Sequence, residues 1–245
     1  MKENEFSVLV ANETHVGYAA EICDEMAESA KARGTGIARR SPEYVANKMR
    51  EGKAVIALHD DGTWAGFCYI ETWSHGKFVA NSGLIVNPKF RNFGLAKKIK
   101  KRIFKLSREK YPEAKIFGLT TGLAVMKINS ELGYEPVTYS ELTQDEDFWK
   151  GCQSCVNYEI LMSKGRKNCM CTAMLFDPDD IQKKLEEKLK ALEDQKREIE
   201  EQLHQEHLNK ISRKSSLLQR LEEKLRGSIK VFITFAALIT KIVQN

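Results

Sequence analysis

The pattern of apolar and charged residues changes near Pro178, and this change limits how the chain can fold more than any other feature of its sequence. Before it, β-branched or alternating segments of strand length are interleaved with segments whose apolar residues have helical spacing. After it, a charge-dense stretch without proline has the spacing of one long helix. We therefore predict a folded domain over residues 1–177 and a helical tail over residues 178–245.

The predicted elements of the first domain follow one another as strand, two helices, three strands, helix, strand, helix and two strands. This order predicts an α/β (α+β) fold with one mixed, mostly antiparallel sheet flanked by helices. The predicted strands are Phe6–Val10, Ala54–Leu58, Trp64–Thr72, Phe78–Val86, Ile116–Thr120 and, later, Val137–Tyr139 and Cys169–Phe176, with a loop between the last two. The predicted helices are His15–Lys31, one that begins at Ser41, Leu95–Lys110 and Ala124–Leu132.

Charge and hydropathy argue against several classes of protein. The 39 basic and 34 acidic residues are spread along the chain, so the net charge of +5 predicts no nucleic-acid partner. The longest late apolar run, Val231–Thr240, is about half as long as a spanning helix, so we predict no transmembrane span. Because the polar run Met1–Glu5 contains no signal core, we expect a cytoplasmic protein with reduced cysteines.

The segment around Gly94 has the form of a phosphate-binding site. A predicted strand ends at Val86, a short loop follows, and a basic helix begins after Gly94. Unpaired N–H groups and the helix dipole favour an anion there, such as a pyrophosphate. Gly94 permits close approach to the backbone, and the small Ala96 keeps the first turn open. Most of the basic residues of this helix are expected on a solvated surface: Lys97, Lys98, Lys100, Lys101, Arg102 and Lys105.

These residues resemble the central cofactor motif of the GNAT acyltransferase superfamily, which reads Arg or Gln, two residues, Gly, one residue, then Gly or Ala. Arg91, Gly94 and Ala96 fill the motif, and Gly133-Tyr134 matches the closing Gly-aromatic pair of the family. The resemblance, over about residues 5–176, implies a GNAT fold and a CoA-dependent N-acyltransferase that uses acetyl-CoA or another acyl-CoA. The implied cofactor-binding residues are Leu84, Ile85 and Val86 for the pantetheine arm, and Arg91, Asn92, Phe93, Gly94, Leu95 and Ala96 for the pyrophosphate.

Two positions depart from the family pattern. Many members have a tyrosine four residues before the closing glycine, thought to protonate the leaving thiolate, and here that residue is Asn129. The asparagine often found at the end of the fifth strand corresponds to Gly122 here, with Thr120 and Thr121 close by. Tyr134 and Tyr139 are alternative acids that spacing alone does not support. The departure leaves a second function open, a non-catalytic acyl-CoA sensor or scaffold that recruits a partner through its tail.

The acceptor side must provide a base and a donor for the developing oxyanion. Glu71, beside the presumed cofactor strand, is the candidate catalytic base, and His75 is the second candidate; either could instead be an ordinary surface residue. The loop that contains Arg33, Arg39 and Arg40 resembles the acceptor wall of the family. Because arginine binds carboxylates bidentately, these residues predict a small acidic amine such as an amino acid.

Two further segments, Gly83–Pro88 and Thr120–Asn129, resemble a bacterial GNAT subgroup linked to arginine biosynthesis. That resemblance implies N-acylation of glutamate with an acetyl or succinyl group. Acylation of a protein lysine fits the arginine-rich loop less well, since this loop suits a small anion.

Four late cysteines, Cys152, Cys155, Cys169 and Cys171, admit two interpretations. Two close pairs of thiolates have the composition of a zinc site. Alternatively, Cys169 and Cys171 are small core residues, because they are expected to share one face of the last strand. The sequence therefore assigns no metal ligands.

The tail has the apolar pattern of a coiled-coil-like helix. Its apolar residues lie three, four or seven apart, with one change of phase: Leu185, Leu189, Leu192, Ile199, Leu203, Leu208, Ile211, Leu218, Leu221 and Leu225. The pattern favours a homo-oligomer or a partner helix, and the alternative is a helix folded back on the domain. The more apolar segment Ile229–Val243 is expected to pack in an oligomer or lie at a membrane surface.

Overall fold

The computed structural model describes residues 5–34 and 39–243, with side chains as far as residue 231. The chain divides into two compact units, Met1–Gln182 and Lys183–Asn245. The strands are β1 (Phe6–Val10), β2 (Ala54–His59), β3 (Trp64–Trp73), β4 (Phe78–Val86), β5 (Lys115–Thr120), β6 (Glu135–Val137) and β7 (Thr172–Phe176). The helices are α1 (Ala19–Ala32), α2 (Pro42–Arg50), α3 (Leu95–Lys110), α4 (Leu123–Glu131), α5 (Glu146–Lys150), α6 (Tyr158–Ser163) and α7 (Pro178–Val243).

The seven strands form one sheet in the order β1-β2-β3-β4-β5-β7-β6. Strands β4 and β5 are parallel, and the other neighbouring pairs are antiparallel. Helix α3 connects the two parallel strands, which a tight hairpin cannot join. The predicted mixed, mostly antiparallel sheet is therefore confirmed.

Apolar layers cover both faces of the sheet. On one face, Ile99 of α3 packs in a cluster with Ile70 of β3. On the other, Ile22 of α1 and Val45 of α2 pack in a cluster with Phe67 of β3. Because successive residues of a strand point to opposite faces, α3 and the α1–α2 pair enclose the sheet between them.

The first helix and the two late strands differ from the prediction. A 3-10 turn, Glu13–Tyr18, precedes α1, because Asn12 accepts a hydrogen bond from the Thr14 N–H (3.0 Å) and tightens the first turn. Strand β6 ends at Val137 rather than Tyr139, and β7 begins at Thr172 rather than Cys169.

The loop predicted before the last strand is wrong. The segment contains α5 and α6, which bring Phe148, Trp149 and Leu161 into a cluster with Phe117 of β5. These helices are only five and six residues long. Such short helices give too few turns for an apolar period to be read, so tertiary packing decides their formation.

The tail is one continuous helix, as predicted. Its apolar side chains are exposed along the described part: Leu185, Leu189 and Leu192, for example, are 58%, 58% and 54% exposed. Pairing with a second helix stays a prediction. Among the described residues, no helix combines the length and apolarity that a membrane crossing needs. The apolar end Ile229–Val243 is helical, and its side chains beyond residue 231 lie outside the described part.

Candidate functional site

The N-terminus of α3 is open to a ligand. Its N-cap residue is Gly94, with a φ of 73°, and no side chain in the described chain caps the helix. A Cβ added at Gly94 would meet no atom within 4 Å, so the space beside this residue is free of protein. The first backbone N–H groups of the helix have no partner within it and are therefore available to an anion.

Arg91 fixes the loop that leads into α3. Its guanidinium donates hydrogen bonds to the Glu25 carboxylate (3.0 Å), the Ser29 hydroxyl (2.7 Å) and the Val86 carbonyl (3.3 Å). These bonds tie the loop to α1 and to the end of β4. Because the side chain is engaged within the protein, an anion at this site would be held chiefly by the backbone amides that follow Arg91.

Strand β4 contains a bulge next to this loop. Two of its residues, Gly83 and Leu84, lie opposite the single residue Cys68 of β3. Gly83 has a φ of +64°, and a Cβ added there would lie 2.4 Å from Cε1 of Tyr69. Both the backbone conformation and the close approach of the ring therefore require glycine.

Strands β4 and β5 separate after a short parallel stretch. Their pairing ends at Ala80 and Phe117, and beyond this point residues of both strands line a cavity of about 970 Å³. The cavity extends to the first turn of α3. Eight of the predicted site residues line it: Arg33, Arg40, Glu71, Leu84, Ile85, Val86, Arg91 and Ala96. Asn92, Phe93 and Gly94 are exposed in the loop, and the Leu95 side chain packs in the core.

Glu71 lines the same cavity and is held by three groups. Its carboxylate accepts hydrogen bonds from Arg40 (3.2 Å), from the Tyr44 hydroxyl and from the Ser82 hydroxyl (3.3 Å). Burial, followed by the nearby Glu71 charge, raises the pKa of Tyr44, so this hydroxyl stays protonated and donates. The result is a fixed carboxylate with a side chain only 7% exposed, which could accept a proton from an amine directly or through water.

The three predicted arginines have different environments. The Arg40 guanidinium donates one hydrogen bond to Glu71 and another to the Tyr69 hydroxyl (3.2 Å). Arg33 is exposed and lines the cavity. Arg39 is exposed, and its backbone N–H donates to the Ser154 hydroxyl (3.2 Å). The rest of the predicted loop, residues 35–38, lies outside the described part of the chain.

The second candidate base, His75, lies in a 3-10 turn with a φ of 55° and is exposed. It is not among the described residues that line the cavity. The geometry therefore favours Glu71 over His75.

Solved structures share this arrangement of strands and helices. An N-acetylglutamate synthase from Neisseria gonorrhoeae, solved with coenzyme A and N-acetyl-glutamate, is 20% identical with a TM-score of 0.52, over 72% of this chain and 36% of that chain. A protein from Mycobacterium tuberculosis, solved with CoA, is 16% identical with a TM-score of 0.51, over 70% of this chain and 98% of that chain. The domain has the GNAT fold.

What this chain shares with these two solved structures is the fold. The chain spans about a third of the length of the synthase, since the match covers 36% of it. No protein-family profile matches the sequence, and no curated protein matches it.

At the position where many GNAT members have a tyrosine, Asn129 is 1% exposed and lines the cavity. Its Nδ2 lies 3.7 Å from the Met174 sulfur, and its Oδ1 has no hydrogen-bond partner among the described residues. A neutral carboxamide is not a proton donor for a thiolate, but its free oxygen can accept a hydrogen bond from a ligand.

The two alternative tyrosines are engaged elsewhere. Tyr134 is 2% exposed and donates to Asn81 Oδ1 (3.0 Å), and Tyr139 donates to the Cys171 carbonyl (2.8 Å). Neither belongs to the described residues that line the cavity. The structure therefore leaves both without access to a thioester in it.

Lys100 is a site residue that the sequence analysis missed. Most basic residues of α3 are expected on its solvated face, and Lys100 is an exception: it is 2% exposed and lines the cavity. The sequence signal that indicates its burial is its position along the helix. Lys100 lies three residues before Ile103 and seven before Ser107, which are both buried, so it belongs to the inward stripe of the helix.

The cysteines do not form a metal site in the described part of the chain, where no group of three His, Cys, Asp or Glu side chains is arranged to hold an ion. Cys169 and Cys171 precede β7 and so do not share its face. Burial raises the pKa of Cys152 to about 11 and of Cys171 to about 12, which keeps both as thiols. Cys152, Cys155 and Cys171 instead line the cavity.

Proposed function

We propose that the domain is an acyl-CoA-dependent N-acyltransferase that moves an acetyl or another acyl group directly from the CoA thioester to an amine. One observation carries the proposal. The same cavity joins the open N-terminus of α3, the gap between β4 and β5, and the Glu71 carboxylate.

Each part of the cavity suits one part of the reaction. The amides that follow Arg91, from Asn92 to Ala96, bind the pyrophosphate, as helix N-termini do. The gap between the strands offers the backbone of Leu84–Val86 to an extended amide-containing arm. Glu71 takes the proton of the attacking amine, either directly or through a water molecule.

For the acceptor, we propose a small amine with an acidic group, with glutamate as the first to test. Arg33 is exposed in the cavity, and Arg40 lies beside Glu71, so a carboxylate can be bound near the base. The N-acetylglutamate synthase of similar fold was solved with N-acetyl-glutamate, an acylated acidic amino acid.

The test measures thiol release from acetyl-CoA and succinyl-CoA with glutamate, with glutamine and with amines that have no carboxylate. Faster release with glutamate is expected. An Arg33→Met variant should raise KM for glutamate and change KM for an amine without a carboxylate little. Equal rates for all acceptors would contradict the acidic acceptor while leaving the transferase proposal intact.

The rival function, a non-catalytic acyl-CoA sensor or scaffold, is favoured by Asn129 in the position of the usual acid. Binding of CoA in calorimetry without thiol release from any acceptor would support it and contradict the transferase.

For the tail, we propose association with a second copy of the chain. Its leucine seam is exposed in the described part of α7, flanked by Glu and Lys as in coiled coils. The apolar positions recur from Leu185 to Leu225, with one change of phase and with Lys196 and Glu206 interrupting the seam.

A further inference from the structure

Lys100 places a positive charge inside the domain. Its Nζ donates to Asn81 Oδ1 (3.3 Å) and lies 5.0 Å from the centroid of the Tyr134 ring. Among the described residues it forms no ion pair with a carboxylate. A buried cation without a counter-ion is costly, and a stable fold would be better served by leucine at this position.

The ammonium lies where the two parallel strands part. The last pair of β4 and β5 is Ala80–Phe117, and Asn81, which binds Lys100, is the next residue of β4. Lys100, Ala80, Asn81 and Phe117 all line the cavity. An extended arm that starts at the first turn of α3 and follows β4 from Val86 towards Ala80 therefore brings its reactive end to Lys100.

The surroundings of Lys100 tune its proton affinity. Burial lowers the pKa of Lys100 to about 8, while the Cys68 thiol opposes this shift. The titratable groups that face it are Cys68 of β3 and Tyr134 after α4. Burial raises the pKa of Cys68 to about 11 and that of Tyr134 well above its usual value, so Lys100 loses its proton first. An acid with a pKa near the working pH is the most effective proton donor.

We propose that Lys100 is the catalytic acid that protonates the departing CoA thiolate, a role that rests on the proposed N-acyltransferase function. The acceptor nitrogen forms a bond to the acyl carbon, and the carbon–sulfur bond breaks with its electron pair going to sulfur. Lys100 transfers a proton from Nζ to that sulfur and becomes a neutral amine. The proton lost by the acceptor nitrogen goes to Glu71 or water, and Lys100 regains a proton from solvent after thiol release.

The role of Lys100 as the acid also accounts for the absence of the tyrosine that many GNAT members have at the position of Asn129. Asn129 has no proton to give, and the Tyr134 and Tyr139 hydroxyls donate within the protein. In the described part of the cavity lining, Lys100 is the ammonium that adjoins the gap between β4 and β5.

The first test replaces Lys100 with methionine, which keeps an unbranched chain of similar length. Lys101→Met is the matched control, because Lys101 is exposed on the same helix. Lys100→Met should lower kcat about 100-fold or more, within the usual range for loss of a general acid. CoA affinity in calorimetry should change by less than about 3-fold, since the pyrophosphate site is untouched. Lys101→Met should have the activity of the wild type.

The second test separates proton donation from a structural role. An aryl thioester releases a more acidic thiol that departs without protonation, so the loss in Lys100→Met should shrink to under about 3-fold with this donor. In the wild type, kcat with acetyl-CoA should fall as the pH rises through about 8, as Lys100 loses its proton, and should not fall with the aryl thioester. This wild-type comparison decides the matter even if the variant does not fold.

The outcomes distinguish the two proposals. An active wild type with an equally active Lys100→Met variant, or with the same high-pH decline for both donors, overturns the role of Lys100 alone. A wild type that binds CoA and releases no thiol with any acceptor overturns the transferase proposal, and the role of Lys100 with it.

Discussion

Arg40 and Glu71 form a partly buried ion pair in the cavity lining, with Nη2 of Arg40 3.2 Å from Oε1 of Glu71. The side chains are 20% and 7% exposed, so the pair is shielded from most of the solvent. Arg40 also donates to the Tyr69 hydroxyl at 3.2 Å, which fixes the plane of the guanidinium. The carboxylate thus has one orientation relative to the cavity, as a positioned base requires.

Glu71→Gln should lower kcat about 100-fold or more, because an amide accepts hydrogen bonds but not a proton. CoA affinity should change by less than about 3-fold. Glu43→Gln is the control, since Glu43 is an exposed carboxylate that also pairs with an arginine, Arg50. Steady-state kinetics and calorimetry measure both quantities. A Glu71→Gln enzyme as active as Glu43→Gln would remove Glu71 as the base.

Ala96→Glu should weaken CoA binding about 10-fold or more while leaving the free energy of unfolding unchanged or higher. A carboxylate in the first turn of α3 is favoured by the helix dipole but repels a pyrophosphate. Ala20→Glu is the control, the same substitution at the exposed second residue of α1. Calorimetry and urea unfolding measure the two effects. Equal CoA affinities for the two variants would place the pyrophosphate elsewhere.

Two buried asparagines should respond in opposite ways to replacement by leucine. Asn81 accepts from Lys100 and Tyr134 and donates to the Ser107 hydroxyl (2.8 Å). Asn81→Leu therefore leaves the Lys100 ammonium and the Tyr134 hydroxyl without this acceptor, whereas Ser107 keeps its bond to the Ile103 carbonyl (2.8 Å). We expect a loss of about 3 kcal/mol or more in the free energy of unfolding.

Asn129→Leu should be neutral or stabilising, because Asn129 Oδ1 has no partner among the described residues and its amide meets only a methionine sulfur. Urea unfolding of the two variants tests the pair of predictions. A destabilised Asn129→Leu protein would mean that its oxygen is satisfied in solution.

Wild-type stability should rise relative to Lys100→Met between about pH 8 and pH 10.5. In the folded chain, the pKa of Lys100 is about 8, against an ordinary value of 10.5. Between these values the unfolded chain binds the additional proton, so raising the pH favours the folded state, by about 3 kcal/mol at most. Urea unfolding across this range measures the difference, and a constant difference would mean that Lys100 is solvated in the folded protein.

A chain that ends at Gln182 should be monomeric, whereas the full chain should have at least twice the monomer mass. The truncation removes the exposed leucine seam of α7. Light scattering after size-exclusion chromatography measures mass, and circular dichroism checks the shortened domain. Leu189→Asp is a milder variant that should also dissociate the full chain. Equal oligomeric states for all three would contradict association through the tail.

The longer strands and helices could be predicted because each repeats its period more than once, whereas β6, with three residues, does not, and its bounds differ from the prediction. Helix α3 begins and ends where the sequence indicates, at Leu95 and Lys110, because a glycine precedes it and Tyr111-Pro112 follows it. The Arg91–Ala96 turn could also be predicted, because a sequence motif of fixed spacing indicates a local backbone conformation.

The interior of the site could not be predicted, because it depends on contacts between distant residues. Arg40 lies 31 positions before Glu71, and Lys100 lies 19 after Asn81. In a basic helix, the residue type alone does not show whether a lysine points to solvent or to the interior. Only the position of Lys100 in the apolar stripe distinguishes it, and its acceptor on β4 becomes visible only when the sheet is assembled.

The bulge in β4 affects which face of the sheet each residue on either side of it occupies. Phe67 pairs with Ile85, and after the extra residue Tyr69 pairs with Ser82, so Ile85 and Ser82 face the same side of the sheet although they are three residues apart. Asn81 consequently faces α3, and Ser82 faces Glu71. Loss of the bulge residue Gly83 would leave Ser82 opposite Tyr69 and Asn81 opposite Ile70, so both side chains would keep their present faces. In evolutionary terms, the strand should survive loss of this one residue far better than loss of a residue from its regular part, which would turn the residues beyond it to the opposite faces.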